Sequence, residues 1–353
     1  MNDHPYHQRK IIEYTKNLRE ILLTLPSFSK DYFRAIEPTT SPKTRVSYAY
    51  DIRIFFNFLK NNNPLYQNKD LTSLTIDDLE KIQVLDIEEY QEYLKLYLNN
   101  NKELTNTERG ISRKMSALRS FFNYYYKHQF ISSNPALMVS MPKIHEKSII
   151  KLDTDEVVAL LDYIENCGDL LDNKRKDFYE KTKFRDLALI TLLLGTGIRV
   201  SECVGLDLKD VDFKNNGLTI VRKGGNEMVV YFGDEVYDAL YDYINLERNL
   251  ITPVEGHEGA LFYSIQKKRL SVRAVEDLVK KYASVITNKK ITPHKLRSTY
   301  GTTLYKETND IYLVADVLGH KDVNTTRKHY AQMNDDNRRR AARAVTLRES
   351  ESK

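Results

Sequence analysis

A stretch in the second half of the chain combines a histidine and an arginine at the start of a helix. Thr292 and Pro293 are typical of a helix N-terminus, and His294 and Arg297 follow on one face of its first turn. The backbone N–H groups of such an end, an imidazole and a guanidinium together favour an anion such as phosphate. A capped helix with two solvated side chains explains this stretch equally well when it is taken alone.

A further histidine and a nucleophile follow along the chain. An apolar helix is predicted to end at Gly319, with His320 directly after it and Tyr330 on a new helix ten residues later. A tyrosine hydroxyl becomes a nucleophile when a base or a cationic field activates it. Taken separately, an exposed loop histidine and a packed tyrosine explain these two residues as well.

Two more basic residues lie where the local pattern changes. Arg199 follows Gly195-Thr196-Gly197 beside an apolar helix, where a guanidinium needs an anionic partner. A salt bridge to Glu202, three residues on, would satisfy it as well as a ligand would. Lys223 lies in the turn of a predicted β-hairpin, where a lysine can also serve solubility alone.

The second half must position these residues with helices and a small sheet. Helices are predicted over residues 152–164 and 184–197 from their apolar spacing. Residues 218–221 and 228–231 resemble two strands around a Lys-Gly-Gly-Asn turn, which predicts an antiparallel hairpin. Helices then return and lead to a charged C-terminal tail.

The first half is predicted to form a small helical bundle with short connections. Four segments show helical apolar spacing, namely 9–24, 41–60, 87–98 (through Ile87, Tyr90, Leu94 and Leu98) and 107–127. Pro135 and Pro142, among small and polar residues, indicate an extended linker. We therefore predict a helical domain at 1–134, a linker at 135–151 and a second domain at 152–353.

The composition restricts the class of protein without naming a ligand. With 54 Lys and Arg against 49 Asp and Glu, the net charge of the 353 residues is +5, which permits a polyanionic partner without requiring one. Cys167 and Cys203 lack the paired spacing of a disulfide framework or a zinc site. No secretory signal and no run of about 18 apolar residues occurs. We expect a protein of the reduced cytoplasm without a membrane segment.

Together, these motifs resemble the tyrosine site-specific recombinases, also called the phage-integrase family. The family's pattern is an arginine in a TG-x-R-x-x-E stretch, a lysine on a β-hairpin, an H-x-x-R, an LGH and a tyrosine soon after. The matching residues, in order, are Arg199, Lys223, His294, Arg297, His320 and Tyr330. The hairpin, RKGGNEMVV, lacks the basic residue that many relatives carry after the turn, so Lys209 and Lys214 stay open as alternatives to Lys223.

The first half also resembles the family's core-binding domain. Thr44, Tyr48, Asp51 and Phe55 match its first-helix pattern, and ISRKMSALRSFFNYYY followed by SSNP matches its last helix and exit. The resemblance implies a mainly α fold of two domains. The N-terminal one would be a SAM-like four-helix core-binding bundle, and the C-terminal one an α-rich catalytic domain with a small antiparallel β-sheet.

The resemblance also implies a reaction. Tyr330 would attack a DNA phosphodiester, forming a 3′-phosphotyrosyl link and a free 5′-hydroxyl, and a partner strand's 5′-hydroxyl would reverse the step. Arg199 and Arg297 would neutralise the non-bridging oxygens, and His320 would hydrogen-bond the phosphate. His294 is the candidate base and Lys223 the candidate acid. Because cationic side chains would stabilise the charge and the covalent link would preserve the bond energy, no metal, ATP or other cofactor is expected.

The expected partner is duplex DNA with an inverted-repeat recombination site. Candidate phosphate contacts in the helical domain are Lys43, Arg45, Arg113 and Lys114, although a solvated helix face explains each of them equally well. The family's C-terminal segment docks on a neighbouring protomer, which implies a homotetramer on two sites. Residues 336–348 are the candidate segment here.

Within the family, the length and the plain two-domain layout most resemble Xer-type recombinases, and residues 1–40 resemble the XerS type. That likeness implies resolution of chromosome dimers at a dif-like site during cell division, with a septal DNA translocase as a candidate partner. A mobile-element or phage integrase with the same chemistry is the alternative, followed by a non-catalytic DNA-binding relative. A metal-dependent nuclease is disfavoured, because His294, His320 and His329 lack ligand-like spacing with carboxylates.

Overall fold

The computed structural model describes residues 5–99, 102–145, 149–222, 225–320, 322–324 and 326. The chain forms two compact units, the first including the described residues up to 145 and the second those from 149 onward. Both are mainly helical with a small antiparallel sheet each. Among the described residues, no helix has the length and apolar composition needed to cross a bilayer.

The first unit is a helical bundle in which α1 and α6 pack against α3. Its elements are α1 (Tyr6–Leu22), α2 (Ser29–Ala35), α3 (Pro42–Asn62), α4 (Ile76–Glu80), α5 (Val84–Tyr93), β1 (Leu96–Asn99), β2 (Lys102–Thr105), α6 (Glu108–Lys127) and α7 (Pro135–Met138). The predicted helices near residues 9–24, 41–60 and 107–127 are thus confirmed.

Helix α3 begins where the sequence predicts, because Ser41 caps it. The Ser41 Oγ accepts a hydrogen bond from the backbone N–H of Thr44 at 3.2 Å. Phe55 and Phe56 on its inward face meet phenylalanines of α6 edge to face, with ring centroids 6.0 to 6.1 Å apart. These aromatic contacts join the two longest helices of the unit into one core.

Two predictions for the first unit are wrong at their edges. The apolar spacing predicts a helix face for Leu98, but this residue lies on strand β1, which pairs with β2, and its side chain is 64% exposed. The linker was predicted to start at residue 135, yet Ala136 and Val139 are buried in the first unit. The Arg119 guanidinium binds both of their carbonyl oxygens, which holds this segment on α6.

The second unit surrounds one apolar helix. Its elements are α8 (Thr154–Asn166), α9 (Asn173–Glu180), α10 (Lys183–Thr196), α11 (Val200–Cys203), β3 (Val211–Asp212), β4 (Gly217–Val221), β5 (Glu227–Tyr231), α12 (Asp234–Asp242), α13 (Val272–Ile286), α14 (Pro293–Thr308) and α15 (Ile311–Leu318). Helix α10 packs against α8, α12 and α14, which explains why it is apolar nearly all round. Strands β4 and β5 form the predicted hairpin, and β3 pairs with β4.

A buried ionic cluster at the start of α10 contains a carboxyl group with an unusual pKa. The Arg185 guanidinium binds Asp186 at 2.6 Å, and the Arg185 backbone N–H donates to Glu247 Oε2 at 3.1 Å. Burial is the main cause that raises the pKa of Glu247 to about 7. The carboxyl group is therefore protonated more readily in the folded protein than in the unfolded chain.

We expect the Glu247→Gln variant to gain stability relative to the wild type as the pH rises. Between pH 4.5 and about 7 the folded protein retains a proton on Glu247 that the unfolded chain has released. The contribution of Glu247 to the free energy of unfolding is therefore complete below pH 4.5 and is lost as the pH rises through about 7. Urea unfolding at pH 5 and pH 8 measures the difference. Glu227→Gln, at an exposed β5 position, is the control. Equal pH dependence of Glu247→Gln and wild type would contradict the assignment.

Candidate active site

The C-terminal end of α15 presents a set of backbone oxygens. Gly319 ends the helix in the left-handed region, with φ at 61°. The N–H groups of Gly319 and His320 donate back to Asp316 and Ala315 at 2.8 and 2.9 Å. The carbonyl oxygens of Val317 and Leu318, which a helix end leaves without intrahelical donors, and that of Gly319 then need other partners.

Three guanidinium groups bind these three carbonyl oxygens, one each. Arg222 Nη2 donates to Val317 at 2.8 Å, Arg297 Nη2 donates to Leu318, and Arg199 Nη2 donates to Gly319 at 3.2 Å. We call these three residues the arginine cluster. The negative end of a helix dipole thus gathers three permanent positive charges at one place.

Glycine and a carboxylate position Arg199. Helix α10 ends at Gly197, whose φ of 62° turns the chain, and a Cβ there would lie 2.4 Å from the Tyr300 ring. Glu202, which is buried, accepts from the Arg199 backbone N–H at 2.7 Å and from its Nη1 at 2.8 Å. The salt bridge to Glu202 is therefore compatible with ligand binding by Arg199, because its Nη2 still lies at the Gly319 carbonyl and its side chain is 36% exposed.

The two residues of the H-x-x-R motif lie at different depths. Arg297 on α14 is buried, and its Nη1 donates to the Gly197 carbonyl at 2.5 Å. That bond joins the end of α10 to the end of α15 through one side chain. His294, one turn earlier at the start of α14, is exposed.

His320 lies directly beside the arginine cluster. Its Nδ1 is 2.8 Å from the hydroxyl of Thr326, which is fully buried. A hydroxyl partner on Nδ1 orients the imidazole ring. The structure therefore brings Arg199, Arg297 and His320 together around Gly319.

Lys223 and Tyr330 lie outside the residues that the structure describes. The hairpin that carries Lys223 is described on both sides, by β4 and β5, with Arg222 and Gly225 at the edges of the gap. The alternative lysines, Lys209 and Lys214, are exposed. The assignment of an acid and a nucleophile thus stays a prediction from the sequence.

Arg222 is the residue of this site that the motif comparison missed. The motif directs attention to the lysine after it, and an arginine at a strand end is ordinarily a surface residue. The available signal in the sequence was the pair of adjacent basic residues, Arg222 and Lys223, at a predicted hairpin turn. Among the described residues, no group of three or more His, Cys, Asp or Glu side chains has the arrangement of a metal site.

The four candidate DNA contacts of the first unit divide into two kinds. Lys43 and Arg113 are exposed, although Arg113 also binds the buried Asp51 carboxylate. Arg45 and Lys114 are buried; Arg45 binds Glu37 at 2.7 Å, and Lys114 donates to an amide oxygen at 3.0 Å. Burial is also the first cause that lowers the pKa of Lys114. Arg45 and Lys114 therefore belong to the packing of this unit, which corrects the prediction that they face DNA.

A two-unit helical fold with arginines and one histidine gathered around an LGH turn, together with the family and relatives it matches, defines a DNA recombinase of the tyrosine class. The chain belongs to the phage integrase family: residues 151–337 match the Phage integrase family model, and residues 30–129 match that of the phage integrase N-terminal SAM-like domain. The predicted family is thereby confirmed, and the protein is a DNA strand-transferring enzyme.

Curated relatives are tyrosine recombinases of the Xer group. The chain is 34% identical over 320 residues to tyrosine recombinase XerC of Caldanaerobacter subterraneus subsp. tengcongensis, covering 88% of this chain and 83% of the relative. It is 30% identical over 344 residues to tyrosine recombinase XerS of Streptococcus thermophilus, covering 91% and 96%. Both matches extend over the two units.

Solved structures confirm the fold. The XerH site-specific recombinase bound to palindromic difH substrate, in a post-cleavage complex, aligns with a TM-score of 0.65 at 19% identity, covering 97% of this chain and 90% of that one. A lambda integrase dimer bound to a COC′ core site aligns with a TM-score of 0.60 at 16% identity, covering 86% and 94%. At these identities the likeness shows the architecture alone.

Proposed function

We propose that this enzyme cuts and rejoins duplex DNA through a 3′-phosphotyrosyl intermediate on Tyr330. The observation that carries the proposal is the arginine cluster beside His320, because it concentrates positive charge where a phosphodiester would bind. A pentavalent phosphorus transition state places negative charge on its non-bridging oxygens, and preorganised guanidinium groups stabilise such charge. Membership in the family and the likeness to XerC and XerS support the same chemistry.

The proposed step is balanced by two proton transfers. The Tyr330 oxygen forms a bond to phosphorus, and His294 accepts the phenolic proton. The bond from phosphorus to the 5′-oxygen breaks, and Lys223 gives that oxygen a proton. The reverse attack by a 5′-hydroxyl of a partner strand restores the phosphodiester and frees Tyr330. No net hydrolysis occurs, so the step needs no external energy source.

A covalent-trapping experiment tests this proposal. A nicked duplex that carries the cognate site loses a short 5′-hydroxyl fragment after cleavage, which prevents religation and leaves the protein attached to DNA. We expect this adduct to form in EDTA and to survive a denaturing gel, since cationic side chains supply the charge that metal ions supply in other phosphoryl transfers. Dependence of the adduct on added Mg²⁺, or its absence with a proven site, would contradict the proposal.

We infer that both units contact the DNA substrate. The exposed Lys43 and Arg113 remain the proposed contacts of the first unit. Phosphate contacts release counterions, so the affinity should fall as salt rises, and removing one contact should reduce the slope of log K against log salt by about one. Charge-removing variants at Lys43 and Arg113 measured over a salt series test this, and unchanged slopes would exclude the residues.

We propose that the biological role is resolution of chromosome dimers at a dif-like site, in the cytoplasm. The likeness to XerC and XerS over both units supports this role, and the structurally similar XerH was solved bound to a difH substrate. A plasmid with two directly repeated chromosomal sites should be resolved by the protein alone or with a septal translocase. Recombination only between the ends of a mobile element would favour the integrase alternative.

We propose that the active form is a tetramer on two sites, joined by residues 336–348 of each protomer. A cavity of about 610 Å³ in the second unit, lined by residues of α8, α10, α12 and α14, is the proposed docking place for that segment. Asp155, Glu235 and Glu307 lie at this cavity and complement the arginines of the tail. Light scattering on the DNA complex should give four protomers for the full chain and fewer for a chain ending at residue 335. An unchanged assembly would refute this docking.

A further inference from the structure

Arg222 has a fixed backbone at the end of strand β4. Its N–H donates to the Asn226 carbonyl at 2.8 Å, and its own carbonyl accepts from the Gly225 N–H at 3.0 Å. The first of these bonds continues the β4–β5 pairing by one residue beyond Val221. The side chain therefore starts from a rigid strand end, which limits the positions that its guanidinium can occupy.

The Arg222 guanidinium lies directly on the backbone of Gly319. A Cβ built on Gly319 would be 1.0 Å from Arg222 Nη1 and 2.1 Å from its Cζ, so any other residue at this position would displace the guanidinium from where it lies. Its Nη2 donates to the Val317 carbonyl, while Arg199 binds the carbonyl of Gly319 itself. Arg222 and Arg199 thus both contact Gly319, the first at its Cα side and the second at its carbonyl oxygen.

The charge of Arg222 is poorly compensated by the protein. Within the described part of the chain, no carboxylate lies within salt-bridge distance of it, and its Nε is buried without a hydrogen-bond partner. Burial lowers the pKa of the Arg222 guanidinium, with Arg199 acting in the same direction and Glu202 against it. A half-buried cation beside a second cation is costly unless an anion binds to both.

We propose that Arg222 is a third phosphate-binding arginine, which contacts a non-bridging oxygen of the scissile phosphodiester together with Arg199 and Arg297. This inference rests on the proposed function and adds a catalytic residue to it. Three observations support it: Arg222 follows the end of strand β4, its guanidinium lies on Gly319, and it binds a carbonyl oxygen next to those that Arg199 and Arg297 bind at the end of α15. Two other roles are conceivable for the same residue. It could act through Lys223, its neighbour in the chain, or it could only hold the Gly319 turn.

Three DNA substrates separate these roles in single-turnover cleavage. The first is the natural phosphodiester. The second is a methylphosphonate at the scissile position, in which a methyl group replaces one non-bridging oxygen and removes its charge. The third carries sulfur in place of the bridging 5′-oxygen. Because a thiol has a pKa of about 8.5, the sulfur leaves as a thiolate without needing a proton from the enzyme.

Arg222→Met keeps most of the side-chain volume and removes the charge. We expect it to slow cleavage of the phosphodiester by about 10²-fold, as for the loss of one preorganised donor. On the methylphosphonate the difference from wild type should shrink to within about threefold, since the charge that Arg222 stabilises is gone. On the sulfur substrate the full defect should persist. Arg222→Lys should lose about tenfold, because it keeps the charge and loses the planar fork.

Other outcomes would overturn the inference. A wild-type rate for Arg222→Met removes the residue from the site. Recovery on the sulfur substrate assigns it to protonation of the leaving group through Lys223. An equal defect on all three substrates leaves only a structural role. Thermal unfolding measurements show whether Arg222→Met folds. If it does not, the cleavage rates of the three substrates are compared with Arg222→Lys instead.

Two controls keep this test independent of the proposed function. The first control is the wild-type protein, which must form the covalent adduct on the phosphodiester. If the wild type forms no adduct on a proven site, the proposed function fails; if only the Arg222 variants deviate from the expected pattern, the inference about Arg222 fails. Arg175→Met removes an arginine of the same unit whose side chain is 76% exposed and pairs with Asp172. It should cleave all three substrates at the wild-type rate.

Discussion

The Tyr330→Phe variant should bind its DNA site with wild-type affinity and form no covalent adduct. The change removes one hydroxyl group and leaves the aromatic ring, so binding and packing are retained while the nucleophile is lost. The trapping assay with a nicked site, run in EDTA and resolved on a denaturing gel, measures the adduct. A mobility shift on a native gel confirms that the variant still binds DNA.

Tyr300→Phe is the matched control for that experiment. Tyr300 lies on α14 with its ring against Gly197, whose carbonyl binds Arg297, so it is a tyrosine that the described structure places beside the site. Burial raises the pKa of Tyr300, which makes its hydroxyl a poor nucleophile. This variant should form the adduct normally. An adduct that persists in Tyr330→Phe and disappears in Tyr300→Phe would move the nucleophile to α14.

Replacing Arg297 by alanine should reduce the single-turnover cleavage rate by at least about 10²-fold. The same change leaves the carbonyl oxygens of Gly197 and Leu318 without their donor, which should also lower the free energy of unfolding by about 1–3 kcal/mol. Arg297→Lys keeps a charge but cannot bind both carbonyls with one planar group, so it should lose activity as well. Cleavage at saturating protein, together with urea unfolding, measures both effects.

A second buried arginine separates the catalytic effect from the loss of stability. Arg248 is also buried, and its guanidinium binds the carbonyl oxygens of Ala260 and Leu261, outside the arginine cluster. Arg248→Ala should destabilise the fold by a similar amount and leave cleavage by the folded fraction unchanged. A near-normal rate in folded Arg297→Ala, or an equal loss in both variants, would remove Arg297 from the reaction.

The sequence predicted helix ends better than it predicted the surface. Ser41, Gly197 and Gly319 carry their structural roles in their own chemistry, because capping and left-handed turns depend on residue type and near neighbours. The burial of Arg45 and Lys114 could not be predicted in this way, since it depends on Glu37 and Asn106 as tertiary partners.

Arg222 shows the same limit inside the site. Its side chain starts from a strand end and reaches a helix end 95 residues later in the chain, where Val317 accepts its hydrogen bond. Neither spacing nor apolar period connects two such distant segments. The β1–β2 hairpin was missed for a related reason, because Leu98 on β1 continues the helical spacing of Tyr90 and Leu94 although its side chain is exposed.

The binding of three arginines to consecutive main-chain oxygens of α15 has an evolutionary consequence. Every residue type supplies a carbonyl group, so the geometry of the cations does not depend on which side chains stand at Val317 or Leu318. The side chains at those two positions can change as far as packing allows, whereas Gly319 is restricted by its φ of 61° and because a Cβ there would displace the Arg222 guanidinium. Homologous proteins can therefore differ in many side chains of this helix and still hold the three arginines in the same arrangement.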